Sequence, residues 1–581
     1  MFTTILLITA CLLQTCIASP TCPLEGPVFP KPQQLAASDA IQTAVANLTS
    51  TFQTITDSAT DYSFALEVFS AHDPSPLFST YHTAPNLANI TTTGVSTVDE
   101  NTVFRLGSLT KVYTIYTFLI NAGDKLWNEP ITKYVPELAD LGNRSDADAV
   151  VYTAWDDVTI GGLATQMSGI PRDYALLGEL TQSVATRDYV VYYGFPPLED
   201  GEKPPCGEFP TCTREQFFKG IEGFYPSLAP MSTPAYSNVA FQLLGYALET
   251  ITGKSFESLL NDTVFTPLGL NNTFLQAPDQ ALGVIPGDPD ETGWTFDLGE
   301  SAAAGNIYAS VGDMSTLGRS ILNYELLDPV TTRRWLKPFS FSTDPHASVG
   351  VPWGARRVNV NGQPYRWITA YNKAGRISDY SSVLAIIPDY DIGIAVLLAG
   401  NLPANANFGL LDTIGEVLIP AVEEAARAEA GSIYSGHYTF ANTSQLNSSM
   451  TIDTDDQPGL GVSQWFSNGT DFLWTSTVLQ QEYYPLTPRV RLYPSGLEST
   501  NADGSKKVVF KAVFEDAGAP DHATSMFSTD CATWINVESV IYGSSAMDEL
   551  MELTFRRFNL DSSGKVISVT SPSLRVTLDK H

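Results

Sequence analysis

The chain has 581 residues and is 43% hydrophobic, enough apolar material for a large core and two domains. Its 32 Lys plus Arg face 63 Asp plus Glu, a formal charge of -31; a polyanion of that size is repelled by nucleic acid and anionic lipid, so neither is expected as a partner. Only 16% of residues are charged, and such a polar but sparsely charged surface suits secretion.

Residues 1–19 join an apolar run to the small residues Ala18 and Ser19, the pattern of a cleavable signal peptide, although no Lys or Arg precedes the run. The run is short for a membrane span, and no comparable segment follows. Sequons of the type Asn-x-Ser/Thr at Asn47, Asn89, Asn143, Asn261, Asn271, Asn442, Asn447 and Asn468 also point to a secreted, extracellular glycoprotein. Cys11 and Cys16 leave with the leader. Among the remaining cysteines, a local Cys206–Cys212 bridge is the easiest of three connectivities and leaves Cys22 for Cys531; the sequence does not fix the choice. No Cys/His ligand spacing occurs, so neither a metal nor another cofactor is expected.

Residues 36–59 carry a helical period, and 63–70 and 76–84 read as strands. Residues 103–118 are apolar enough for a helix buried on most faces. Residues 125–235 are loop-rich, 235–253 read as a long helix ending at Gly253, and 381–401 read as two buried strands joined at PDYD. A helix over 408–431 follows. Beyond it MTIDT, FLWTSTV, VRLYP, KKVVFKAVF and KVISVTS alternate with turn sequences, which predicts an antiparallel sheet or small barrel. The expected organisation is a leader (1–19), a domain over 20–431 and an all-β domain over 432–581.

Ser-x-x-Lys occurs at Ser108–Lys111 and at Ser562–Lys565. The second lies in a DSSGK turn, where nothing makes the two side chains converge. At the start of a helix, by contrast, Ser108 and Lys111 share a face about 5–6 Å apart. Free N–H groups there favour a developing oxyanion, and the positive helix end disfavours protonated lysine. Tyr236-Ser237-Asn238 is the one Tyr-x-Asn in the chain. A tyrosine near two ammonium groups is expected to have a lowered pKa and to relay the serine proton as phenolate, while Asn238 bonds Lys111 or substrate. Lys373-Ala374-Gly375 is the one Lys-x-Gly. On an edge strand its backbone can pair with substrate, Gly375 allows close approach, and the Arg376 N–H offers a second oxyanion donor.

Ser-x-x-Lys, Tyr-x-Asn and Lys-x-Gly in this order resemble the serine β-lactamase and penicillin-binding-protein superfamily, in its class C β-lactamase and esterase branch. FRLGSLTKVYT, DVTIGGLATQMSGIPRDY (157–174) and AAGNIYASVGDMSTLGRSIL (303–322) carry the likeness over roughly residues 60–425. With VRLYPSGL and Cys531 it extends to secreted fungal β-lactamase-like proteins with a C-terminal β domain. The resemblance implies an α/β fold, an antiparallel sheet flanked by helices with the site between the sheet and an all-helical lobe. It makes Ser108 the acylated nucleophile, Lys111 its proton acceptor and Tyr236 the partner acid/base, with Asn238 and Lys373 orienting and polarising. Ala374 departs from the family, where Thr or Ser helps hold the substrate carboxylate, so efficient β-lactam hydrolysis is not expected. Gln166-Met167 replaces a usual His-Thr and reads as structural.

The leading expectation is a monomeric secreted serine hydrolase forming an acyl-enzyme at Ser108 on a small-molecule ester or amide. No Gly-x-Ser-x-Gly elbow supports a Ser-His-Asp alternative. A non-water acceptor would make it an acyltransferase, or the enzyme could be a tailoring hydrolase in small-molecule biosynthesis. An inactive binding protein of the same fold is the other class, and the joint presence of Ser108, Lys111, Tyr236 and Lys373 argues against it.

Overall fold

The computed structural model describes residues 22–581 except 92, 143–147, 176–188, 200–201, 203, 205, 208–210, 364, 441–446, 482–484, 486, 519–530, 532, 538–540, 543–550 and 553–554. The expected leader and the sequons at Asn143 and Asn442 lie outside the described residues. The other six sequon asparagines are exposed.

An eight-stranded antiparallel sheet forms the centre. Its strands are β1 (Tyr62–Ser70), β2 (Phe78–His82), β3 (Ser340–Phe341), β4 (Ala347–Val349), β5 (Gly354–Asn359), β6 (Trp367–Ile377), β7 (Tyr380–Ile387) and β8 (Ile392–Gly400), in the order β2-β1-β8-β7-β6-β5-β4-β3. Alternation of side chains lets one strand serve two cores. In β1, Phe64, Leu66 and Val68 join the cluster under the helices α1 (Asp39–Ser58) and α5 (Ala406–Tyr434), whereas Ala65 and Phe69 face the cluster that contains α2 (Thr110–Asn121), α3 (Val239–Thr252) and α4 (Val311–Leu322). Both sheet faces are covered, which is why SSVLAII and IGIAVLLAG read as unbroken apolar runs.

A second sheet closes on itself. Strands β9 (Gly436–Thr439), β10 (Ser449–Asp453), β11 (Leu460–Ser467), β13 (Pro488–Thr500), β14 (Lys506–Asp516), β15 (Phe555–Leu560), β16 (Val566–Ser571) and β17 (Val576–Lys580) run β10-β9-β17-β16-β15-β14-β13-β11, and β11 pairs back onto β10. The short β12 (Thr470–Asp471) hangs on β11. Closure removes the free sheet edges. Helix α5 belongs to both units: its first turns sit at the central sheet, and Tyr434 at its end packs 5.0 Å from the Phe510 and Phe558 rings of the barrel core. The disulfides are Cys22–Cys531, which ties the N-terminal segment to the C-terminal region, and Cys206–Cys212.

The elements expected from sequence are present with three differences; in one, residues 103–118 are not a single helix, since Val103–Arg105 is a short strand and the helix starts at Thr110 after the Gly107–Leu109 turn. FLWTSTV, expected as a strand, is the helix Phe472–Gln481. Its β-branched alternation is overridden by packing: Phe472 stands edge-on to Trp465 at 4.6 Å, and Asp471 accepts from the Trp474 N–H at the helix start. The helix expected from residue 235 begins at Val239, which leaves Tyr236 and Asn238 in the turn that leads into it; at its other end Gly253 caps it at φ 71°.

A buried ion pair joins the central sheet to α5. Arg366, before β6, donates from Nε to Glu423 of α5 at 2.7 Å and from Nη2 to Tyr390 Oη at 3.0 Å; both charged side chains are 1% exposed. Truncating one partner leaves the other charge buried and uncompensated, a loss of about 3–5 kcal/mol. Glu423→Ala is therefore expected to lower the unfolding free energy by about that amount in guanidinium titrations. A loss under about 1 kcal/mol would mean that Asp389, 3.5 Å from the same guanidinium, takes over the pairing.

Candidate active site

Ser108 lies in a 3₁₀ turn, Gly107–Leu109, that runs directly into α2. The turn is pinned from two sides: Leu106 donates its N–H to Ile307 O at 2.9 Å, and its carbonyl accepts from Ser382 Oγ at 2.7 Å. Gly107 takes φ +55°, and a Cβ there would stand 2.8–2.9 Å from the Arg376 backbone. Across from it, a Cβ on Gly375 would come within 1.9 Å of Leu106 O and 2.8 Å of Ser108 N. The two backbones touch where no side chain fits. Gly375 is thus needed for the nucleophile's own turn, whereas the sequence assigned its space to substrate.

Lys111, one turn on, is fully buried and its Nζ lies 3.2 Å from Ser108 Oγ. The same Nζ donates to Asn238 Oδ1 at 2.7 Å and to Ala304 O at 2.6 Å. Burial, reinforced by the positive charges of Lys373 and Arg172, pushes its pKa well below the ordinary lysine value. Two firm acceptors satisfy the two N–H bonds of a neutral amine and leave its lone pair for the serine.

Tyr236 donates its hydroxyl to Ser108 Oγ at 2.6 Å. Cations surround the ring as expected, with Arg172 at 4.8 Å, Lys111 at 5.0 Å and Lys373 at 5.6 Å from its centroid. The expected lowering of the tyrosine pKa is nevertheless wrong in sign. Burial raises it, and the Ser108 hydrogen bond and the Arg172 charge offset only part of that rise. Tyr236 is a phenol at neutral pH.

Asn238 is fixed from behind. Its amide donates to Asp173 Oδ1 at 2.7 Å, which sets the flip that turns Oδ1 toward Lys111. Asp173 is 6% exposed, and burial raises its pKa although Asn238 and Arg172 oppose the rise. Gln166 braces the middle of the motif: its Oε1 accepts from the Ser237 N–H at 2.6 Å, so a residue set aside as structural touches the machinery's backbone. Asp173 was not singled out from sequence, and Gln166 was read as structural only. The signal available was their place within the family-like segment 157–174.

Lys373 and Gly375 lie on β6. Lys373 Nζ donates to the Ala374 carbonyl, and burial lowers its pKa to about 8. Arg376 presents its backbone to the serine turn while its side chain is exposed. Pairing of β6 with β5 ends at Asn372, opposite Gly354, so residues 373–377 pair with a described strand only on the β7 side. Ser108, Tyr236, Lys373 and Gly375 line one cleft of about 310 Å³ with Arg172 and Phe408. Ser562 and Lys565, the other Ser-x-x-Lys, are both exposed in the turn between β15 and β16. Among the described residues no cluster of His, Cys, Asp and Glu could hold a metal, and no helix is long and apolar enough to cross a membrane.

The family described as "Beta-lactamase" matches residues 72–418, and the one described as "Beta-lactamase-like-like, C-terminal domain" matches residues 426–581. A "Beta-lactamase-like protein" of Arthroderma benhamiae is 27% identical over 96% of this chain and 95% of its own length. "Probable hydrolase clz13" of Cochliobolus lunatus is 27% identical over 74% of this chain and 72% of its own. "Probable hydrolase M10" of a Phoma species is 27% identical over 73% and 69%. With the first model spanning more than half its length, this chain belongs to the beta-lactamase family of hydrolases.

Proposed function

We propose that the protein is a secreted serine hydrolase that forms an acyl-enzyme at Ser108 on a small-molecule ester or amide. The observation that carries this is the pair of contacts on one oxygen: Lys111 Nζ at 3.2 Å and Tyr236 Oη at 2.6 Å from Ser108 Oγ. Neutral Lys111 takes the serine proton as Oγ bonds to the acyl carbon, and the Tyr236 phenol protonates the leaving group as its bond to that carbon breaks. In the second half the phenolate takes a proton from attacking water. The ammonium of Lys111 then returns its proton to Ser108 as the ester bond breaks. The N–H groups of Ser108 and Arg376, brought together by the two glycines, suit the oxyanion, and the open side of β6 suits an extended substrate. Relatives described as probable hydrolases favour water as acceptor. Ala374 supplies a methyl in place of a hydroxyl for a substrate carboxylate, so penicillins are poor substrates. The two disulfides fit an oxidising compartment, and a monomer without nucleic-acid or membrane partner fits the charge.

The direct experiment offers p-nitrophenyl esters, a chromogenic β-lactam and a D-amino-acid amide, with mass spectrometry for an adduct on Ser108. Ester turnover with an adduct is expected, and Ser108→Ala should lower kcat by about 10⁴-fold or more. Unchanged turnover in that variant, or no turnover and no adduct, overturns the reading. β-Lactam turnover as fast as that of esters overturns the inference from Ala374.

The pH profile follows from the same groups. Lys111 must be neutral, so kcat/KM rises as pH climbs through its depressed pKa, below the usual lysine range. Lys373 must be charged, so activity falls again as pH passes about 8. A bell is expected, and Lys373→Gln should lose the alkaline limb together with about 10²-fold of kcat. A profile still rising at pH 10 would contradict these assignments.

A further inference from the structure

Ala374 has no role in the chemistry above, yet it sits where the catalytic cleft meets a larger space. A cavity of about 1040 Å³ runs between β5–β8 and the first half of α5. Asn405 and Phe408 line both this cavity and the cleft that holds Ser108. Along β6, Ala370, Asn372 and Ala374 share a face, two residues apart. The first two line the large cavity and the third lines the cleft, so the strip on the α5 face of β6 leads from the groove to the cleft, while Gly375 meets the serine turn from the other face.

The groove is apolar underneath, with Val358, Ala370, Ala385, Ile387, Ile394 and Ile419. Its helix side is kept bare. Gly409 and Gly415 lie within α5, where glycine is unfavourable relative to alanine. No packing constraint explains them: a Cβ on Gly409 would meet nothing within 4 Å, and one on Gly415 only Ile419 Cδ1 at 3.7 Å. From Phe408 to Ile419 the helix rises about 16 Å, enough for an extended chain. Exposed Asp412 and Glu416 stand on the rim, and the chain carries -31 overall. Arg356 lines the strand side of the groove, and Arg172, Lys373 and Arg376 line the cleft, so the net charge does not set the charge of the bound group.

We infer that this groove holds the long apolar arm of the acyl group whose carbonyl meets Ser108, with the Ala374 methyl at its mouth. The substrate class is then an ester or amide of a medium- or long-chain acyl group. This inference rests on the hydrolase reading for the identity of the bound group. The groove itself is a feature apart from the serine.

A series of p-nitrophenyl esters from acetyl to decanoyl tests it on the full chain. kcat/KM should rise at least about ten-fold along the series. Gly415→Leu, which fills the groove and suits a helix, should cut the decanoyl-to-acetyl ratio by about ten-fold, and Gly409→Leu provides a second variant. A flat or falling series, or an unchanged ratio in both variants, overturns the groove while the hydrolase stands. If no ester turns over and no adduct forms on Ser108, the hydrolase reading fails by itself. Calorimetric binding of N-methyldecanamide then judges the groove: binding weakened about ten-fold in Gly415→Leu upholds it, and equal binding or none overturns it.

Discussion

The site depends on a contact between two backbones with no side chain in between. The Gly107–Leu109 turn and the Lys373–Arg376 stretch of β6 approach so closely that a Cβ on either glycine would overlap main-chain atoms of the other segment. This contact fixes how far the serine stands from the open strand. It brings the Ser108 and Arg376 amides to one place and sets Lys373 beside the ring of Tyr236. Hydrogen bonds from Ser382 and to Ile307 keep the turn against the sheet, so the core that orders the sheet also orders Ser108. Rigid elements hold a catalytic geometry better than loops do, and here a sheet, two helices and a bare-backbone junction share the task.

Much of this was legible in the sequence because it is written in residue types. Period and apolar runs marked the central strands and helices, and the order Ser-x-x-Lys, Tyr-x-Asn, Lys-x-Gly marked groups that the fold brings into one cleft. What was not legible depends on tertiary neighbours. Asp173 is one acidic residue among 63 Asp and Glu, and its use appears only when Asn238 folds against it. The Phe472–Gln481 helix carries a strand-like string of β-branched residues, and only the surrounding barrel selects its state. The direction of the Tyr236 shift was misjudged for a related reason. Two ammonium groups can be counted from motifs, whereas the burial that outweighs them cannot.

Helix α5 ties the two halves of the molecule together. One end lines the catalytic cleft through Ala406, Asn407 and Phe408, and the other inserts Tyr434 among barrel aromatics. Between them Glu423 holds Arg366, so the helix cannot slide along the sheet without separating a buried ion pair. The barrel therefore acts as an anchor for one wall of the cleft, whatever else it binds.

The electrostatics of the cleft act most strongly on Lys111. Lys111, Lys373 and Arg172 converge on Tyr236, and Asp173 is the carboxylate in contact with this group. Three cations beside one anion in a partly dry site are costly, and the cheapest relief is for an amine to shed its proton. The Arg172 side chain is 66% exposed, so its charge is solvated. Lys373 is partly accessible, and its pKa falls only to about 8. Lys111 is fully buried with both N–H acceptors already in place, so it is the group that becomes neutral. Burial depresses both lysines, and Lys111 also carries the repulsion of Lys373 and Arg172, which lowers it further.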